Sequence, residues 1–134
     1  MKLTRTSAEM VAAAKARIRE IPASEAVALA GDQNVVIVDI RDIRERQRHG
    51  FIPGSVHAPR GMVEFWVDPD SDYHKPVFDQ PGKTYLFHCA AGWRSALMVA
   101  TLADMGFEGA AHITEGFEGW VAAGGPVQMP EPRK

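Results

Sequence analysis

Thr84-Tyr85-Leu86-Phe87-His88-Cys89-Ala90-Ala91-Gly92-Trp93-Arg94-Ser95 decides how the rest of the chain is read. Thr84 to Phe87 is β-branched, apolar and aromatic, the composition of a buried strand, while Ser95 to Met105 carries apolar residues at helical spacing. Cys89, the only cysteine, therefore sits where a strand stops and a helix begins. In an α/β fold that junction lies at the carboxyl edge of the sheet, where ligands bind. The helix start there offers unpaired N–H groups and a partial positive charge.

Working outward, Val35-Val36-Ile37-Val38 is an unbroken β-branched run, the pattern of a strand buried on both faces of a parallel sheet. Asp39-Ile40-Arg41 ends it, and Asp42 to Gly50 reads as a short surface helix closed by glycine. Ile52 to Ser55 is a turn, Val56 to Ala58 a short strand ending before Pro59, and Arg60 to Trp66 a helix. Residues 68–82, rich in Asp, Pro and Ser, form a surface loop anchored by Tyr73, Val77 and Phe78, with the makings of a lid. Ala110 to Thr114 is the last strand and Phe117 to Ala122 the last helix. At the other end, Thr6-Ser7-Ala8-Glu9 has the form of a capping box, predicting a first helix over 7–19, and Pro22 to Ala30 predicts a second. Strands alternating with helices at this spacing imply βα units, a mainly parallel sheet and right-handed crossovers.

Composition narrows the function classes. The 134 residues are enough for one core, and 46% hydrophobic with 24% charged residues is ordinary for a globular domain. A formal charge of -2 supplies no large positive field, which argues against nucleic acid as the main partner. No apolar run approaches the roughly 20 residues needed to span a bilayer, so no membrane partner is expected. The polar, alanine-rich start lacks a signal-type block, and the expected location is cytoplasmic. A lone cysteine forms no internal disulfide and leaves no multi-cysteine zinc site, and no paired ligand spacing among the histidines suggests a metal.

The thiolate is the reactive form of cysteine, so a loop built around a nucleophilic sulfur must stabilise that form. Ala90, Ala91 and Gly92 are small enough for several backbone N–H groups to turn toward the sulfur. Arg94 adds a permanent charge and a planar fork suited to an oxyanion. Trp93, at the loop apex, is either a packing anchor or a rim that selects substrates or partners. His88 should point away from its neighbour's direction, as strand residues alternate. Asp39 and Arg41, at a strand end, read first as a structural ion pair. Arg60, after another strand end, is a candidate second cation for an anionic donor. The basic cluster Arg41, Arg44, Arg46 and Arg48 is interleaved with acids and reads as a solvated helix face.

Taken together these pieces resemble the rhodanese-like domains, single-domain sulfurtransferases. The resemblance rests on Val38-Asp39-Ile40-Arg41 with Glu45, on Gly50-Phe51-Ile52-Pro53-Gly54-Ser55 and on the Cys89 to Ser95 loop. It extends to Met105-Gly106-Phe107 and to Glu115-Gly116-Phe117 with Trp120, covering about Ile21 to Gln128. It implies a three-layer α/β fold with a five-stranded, mainly parallel sheet flanked by helices. On that reading residues 1–20 are an appended helix, 21–128 the domain and 129–134 a flexible tail. It also implies that Cys89 accepts sulfane sulfur as a persulfide, with Ala90, Ala91, Gly92, Trp93 and Arg94 binding the substrate. Asp39, Arg41, Arg60 and Ser95 are candidates for supporting that loop, and no metal or cofactor is implied. The donor would be thiosulfate or a persulfide, and the acceptor cyanide or a thiol, which a protein can supply. Phe51 stands where the family usually has histidine and Glu115 where it usually has glycine, both outside the loop.

Two alternatives stay open. One is a non-catalytic regulatory or redox-sensing module that binds a partner. The other is a cysteine phosphatase, whose loop holds five residues between Cys and Arg; here Ala90, Ala91, Gly92 and Trp93 make four.

Overall fold

The computed structural model describes residues 1–132. In chain order the elements are α1 (Ser7–Lys15), β1 (Arg19–Ile21), α2 (Ala23–Ala26), β2 (Val35–Asp39), α3 (Ile43–His49), β3 (Val56–His57), α4 (Val63–Val67), β4 (Thr84–His88), α5 (Trp93–Asp104), β5 (Ala110–Ile113) and α6 (Gly116–Ala122). The strands form one five-stranded sheet in the order β1-β5-β4-β2-β3. Every pair is parallel.

The unalternating strands behave as apolar runs in a two-sided sheet should. Val38, Tyr85 and Phe87 join the core on the face covered by α4 and α5, with Met98, Val99 and Leu102 of α5 packed among them. Ile37, Leu86, Ala111 and Ile113 point to the other face, against Ala23 and Ala26 of α2 and Phe117 and Trp120 of α6. Helix α1 lies outside α5, where Ala14 meets Ala96 and Ala100.

Two predicted boundaries shift at the amino end. The Thr6 capping box starts α1 as expected, yet the helix stops at Lys15 rather than running to 19. Arg17 leaves it to grip Asp104 of α5 at 2.9 and 3.0 Å. Arg19–Ile21 then forms an edge strand between the two expected helices, taking the last residue of the first, by pairing with Ala111 to Ile113. Three residues of which two are charged carry no strand period of their own; the ladder offered by β5 decides.

Elsewhere the second helix splits into α2 and a 3₁₀ turn over Val27–Leu29, and the predicted 60–66 helix into a 3₁₀ turn over Arg60–Met62 followed by α4. In the 68–82 loop Phe78 is buried and stacks on Tyr85 and Phe87, but Tyr73, expected as an anchor, is exposed. The Tyr85 hydroxyl donates to the Val77 carbonyl at 2.7 Å and ties the loop to β4. Of the tail expected over 129–134, Arg133 and Lys134 lie outside the described residues. Before it, Gln128 pairs with Phe51 in an isolated antiparallel bridge. Phe51 also carries the Arg46 guanidinium 4.3 Å above its ring. The departure to phenylalanine therefore serves packing.

Candidate functional site

The carboxyl end of β4 passes directly into the loop that holds Cys89, and α5 starts at Trp93. The turn between them depends on Gly92, whose backbone is left-handed at φ +92. A Cβ there would stand 2.1 Å from the Thr114 carbonyl oxygen, so both conformation and space demand glycine. Two backbone bonds from α6 secure the loop's other side, Phe117 N–H donating to the Cys89 carbonyl at 2.8 Å and Glu118 N–H to that of Ala90 at 3.0 Å.

Cys89 is buried, and its sulfur accepts from two backbone amides and donates to one hydroxyl. The Gly92 amide donates to Sγ at 3.2 Å and the Ser95 amide at 3.4 Å. Ser95 Oγ lies 3.5 Å from the same sulfur. The amides of Ala90, Ala91, Trp93 and Arg94 find no acceptor among the described residues, and the last two open the first turn of α5.

Of the predicted site residues, Ser95 and Gly92 touch the sulfur. Trp93 projects from the loop with 66% of its surface exposed, which disposes of the packing-anchor reading. Arg94 does not point freely into the loop. Its guanidinium grips Glu45 of α3 in a two-pronged pair at 2.8 and 2.9 Å, and that hydrogen bond holds the Glu45 carboxyl below its usual range.

Asp39 and Arg41 are buried together and form the structural pair expected of them. The Asp39 carboxylate accepts from Arg41 at 3.0 and 2.9 Å and from Arg46 at 2.9 Å, while Arg41 stacks on Phe117 at 4.1 Å. Burial alone would raise the Asp39 pKa; the Arg41 hydrogen bond with the His88 and Arg41 charges overcomes it and holds the group at about 2. Arg46, read as part of a solvated helix face, is thus drawn inward. Arg60 pairs with Glu64 at 2.9 Å one helical turn away, and no hydrogen bond or ion pair among the described residues joins its side chain to the Cys89 loop. His88 is buried, its Nδ1 3.2 Å from the Cys89 carbonyl and its ring stacked on Phe117.

Two residues near the site escape sequence reasoning. Ser95 Oγ is 2.8 Å from His112 Nδ1 on β5, and His112 Nε2 is 2.9 Å from Glu20 on β1. Burial pushes the His112 imidazole pKa down, against the opposing pull of Glu20. The available signal was alternation, since His112 falls out of phase with Ala111 and Ile113 and so faces α5. Glu115 is similarly explained, for its Oε1 accepts from the Ala23 N–H at 2.8 Å and caps α2. A cleft of about 670 Å³ opens between the 78–85 and 105–109 segments, at the opposite end of β4, and contains none of the candidate residues.

Known proteins resemble this chain in sequence and fold. A protein from Rhodopseudomonas palustris, described as of unknown function and a possible tyrosine phosphatase, superposes with a TM-score of 0.91 at 47% identity, over 96% of this chain and 98% of that one. A thiosulfate sulfurtransferase from Glaesserella parasuis is 29% identical, covering 82% of this chain and 93% of its own. A dual specificity phosphatase Cdc25 from Arabidopsis thaliana is 31% identical over 82% of this chain and 77% of its own. A mouse thiosulfate sulfurtransferase/rhodanese-like domain-containing protein 3 is 30% identical over 72% of this chain, which spans 64% of that protein's length. The model of the rhodanese-like domain matches residues 22–123, from the start of α2 to the end of α6. With that match extending over most of its length, the chain belongs to the rhodanese-like domain family.

Proposed function

We propose that the protein is a sulfurtransferase working through a Cys89 persulfide. The observation that carries the proposal is the Cys89 sulfur held by two amides and bonded to the Ser95 hydroxyl, in a loop whose four other amides have no acceptor among the described residues. The Cys89 thiolate attacks the outer sulfur of thiosulfate, the S–S bond of the donor breaks, and sulfite leaves with the bonding pair. The negative terminal sulfur of the persulfide then lies among the amides of Ala90, Ala91, Trp93 and Arg94. An acceptor thiolate or cyanide attacks it, the new S–S bond breaks, and the Cys89 thiolate returns. Arg94, anchored by Glu45, supplies positive charge at the rim, and exposed Trp93 offers a face to the acceptor. A cytoplasmic setting, where thiols stay reduced, belongs to the same proposal.

Mass spectrometry after incubation with thiosulfate should find one added sulfur atom on Cys89, removed by cyanide with release of thiocyanate. A Cys89→Ser variant that transfers sulfur as fast as the parent refutes the mechanism. The phosphatase reading draws support from two of the named relatives. Against it stands the Cys89 to Arg94 loop of four intervening residues, a narrow seat for a tetrahedral phosphoryl group. Phosphate release from an aryl phosphate, lost in Cys89→Ser, would decide for that reading.

A further inference from the structure

We propose that Ser95, His112 and Glu20 form a proton relay that takes the thiol proton of Cys89 across the sheet toward solvent. The inference rests on the reading of Cys89 as the nucleophile and adds two positioning residues, His112 and Glu20, that act through Ser95.

The direction of the relay follows from its hydrogen bonds. A carboxylate only accepts, so at 2.9 Å from Glu20 the Nε2 of His112 carries the hydrogen. Nδ1 then presents a lone pair, to which the Ser95 hydroxyl donates at 2.8 Å. The Ser95 oxygen is left to accept from the Cys89 thiol at 3.5 Å. Every donor points the same way, from Cys89 to Ser95 to His112 to Glu20.

Topology brings these side chains together. Glu20 and His112 are direct partners in the β1–β5 ladder. Ile21, Ala111 and Ile113 face α2 and α6, so Glu20 and His112 face α5, whose first turn holds Ser95. Cys89, Ser95 and His112 are buried, but the Glu20 side chain is 30% exposed. The relay thus runs from a closed interior to the surface.

In the transfer the Cys89 S–H bond breaks and its proton goes to Ser95 Oγ while the Ser95 hydroxyl proton passes to His112 Nδ1. The electron pair stays on Sγ and nothing is oxidised or reduced. The products are a thiolate, now accepting from Ser95, and an imidazolium flanked by the Glu20 carboxylate. The charged groups facing His112 are Glu20 from β1, Lys15 from α1 and Glu115 at the start of α6. Arg94, in the first turn of α5, adds its charge near the sulfur.

The test uses alkylation of Cys89 by iodoacetamide, which reads the thiolate without requiring sulfur transfer. Rates are followed by mass spectrometry from about pH 6 to about pH 9, where thiols ordinarily ionise. Ser95→Ala and His112→Asn should slow alkylation roughly tenfold at neutral pH, and Glu20→Gln roughly threefold, with the deficit closing at high pH. In the parent, the His112 imidazole signals in NMR should titrate differently before and after Cys89 is alkylated, a response that a merely structural histidine would not give. Should His112→Asn fail to fold, Glu20→Gln and the NMR titration still decide. Folded variants with the parent's alkylation profile, or His112 signals indifferent to Cys89, overturn the relay. A parent that shows both effects yet takes up no sulfur from any donor overturns the sulfurtransferase reading alone.

Discussion

Replacing Gly92 by alanine should cost far more than the same change at a glycine of similar backbone angle. Gly92 has φ +92 and Gly54 φ +77, so both substitutions place a Cβ in the left-handed region, at about 1–2 kcal/mol. Around Gly54 nothing lies within 4 Å of the new atom, and the conformational term is the whole effect. At Gly92 the new atom meets the Thr114 carbonyl oxygen at 2.1 Å, and that oxygen is backbone at the end of β5. Either the loop or the strand end must withdraw, and the Gly92 amide is pulled from Sγ, where it now donates at 3.2 Å. Clash relief and the weakened bond together add about 2–3 kcal/mol, for a total of about 3–5 kcal/mol. For a domain of this size that lowers Tm by roughly 10–20 °C, against roughly 3–10 °C for Gly54→Ala. Thermal unfolding by circular dichroism measures both, and alkylation of Cys89 should slow only in Gly92→Ala. Equal Tm losses in the two variants would refute the close approach of loop and strand on which the site is built.

Other perturbations follow from the same contacts. Asp39→Asn strips the carboxylate from buried Arg41 and should destabilise by about 3–5 kcal/mol in denaturant titration. Because the folded pKa of Asp39 is depressed from 3.8 to about 2, its contribution is present above about pH 4 and lost as pH falls toward about 2. The stability gap between parent and Asp39→Asn should therefore narrow by about 2 kcal/mol over that interval. Glu115→Ala removes the acceptor that caps α2 and should cost about 1 kcal/mol, whereas Glu115→Gln, which keeps an acceptor, should cost little. A double-mutant cycle on Arg94→Gln and Glu45→Gln should give a coupling of only about 0.5–1 kcal/mol in stability, because the Arg94 side chain is 42% exposed. The same Glu45→Gln variant should nonetheless slow sulfur uptake, because Arg94 loses the partner that fixes its fork.

What the sequence conveyed well was whatever local chemistry specifies. The Val35–Val38 run and the Thr84 to Phe87 run became the two central strands because no other packing buries β-branched and aromatic side chains on both sides. The small-residue loop and the helix after it were legible from Gly92 and from the apolar spacing of α5. Strand β1 was not, since Arg19-Glu20-Ile21 acquires its conformation from β5 alone. The same long reach hid the partners of the site. Arg94 meets Glu45 and Ser95 meets His112 only once separate βα units are stacked, and no local pattern encodes such a meeting. Arg46 illustrates the point on α3, where spacing alone suggested solvent but the buried Asp39 carboxylate draws it in.

The edge strand also sets the order in which the molecule can be completed. Glu20 and His112 are 92 positions apart, as are Ala23 and the Glu115 that caps it. At a synthesis rate of about 5–20 residues per second, the amino-terminal segment waits on the order of 5–20 seconds for its partners to leave the ribosome. Until then β2 and β4 can pair, but the sheet has no β5 against which Arg19 to Ile21 can dock. The cysteine loop is likewise unfinished, because the backbone bonds that pin it come from α6. A nascent chain therefore acquires its edge strand and the pins of its cysteine loop in the same late step, and a ribosome stalled before Ala110 would carry an incomplete sheet with that loop unpinned.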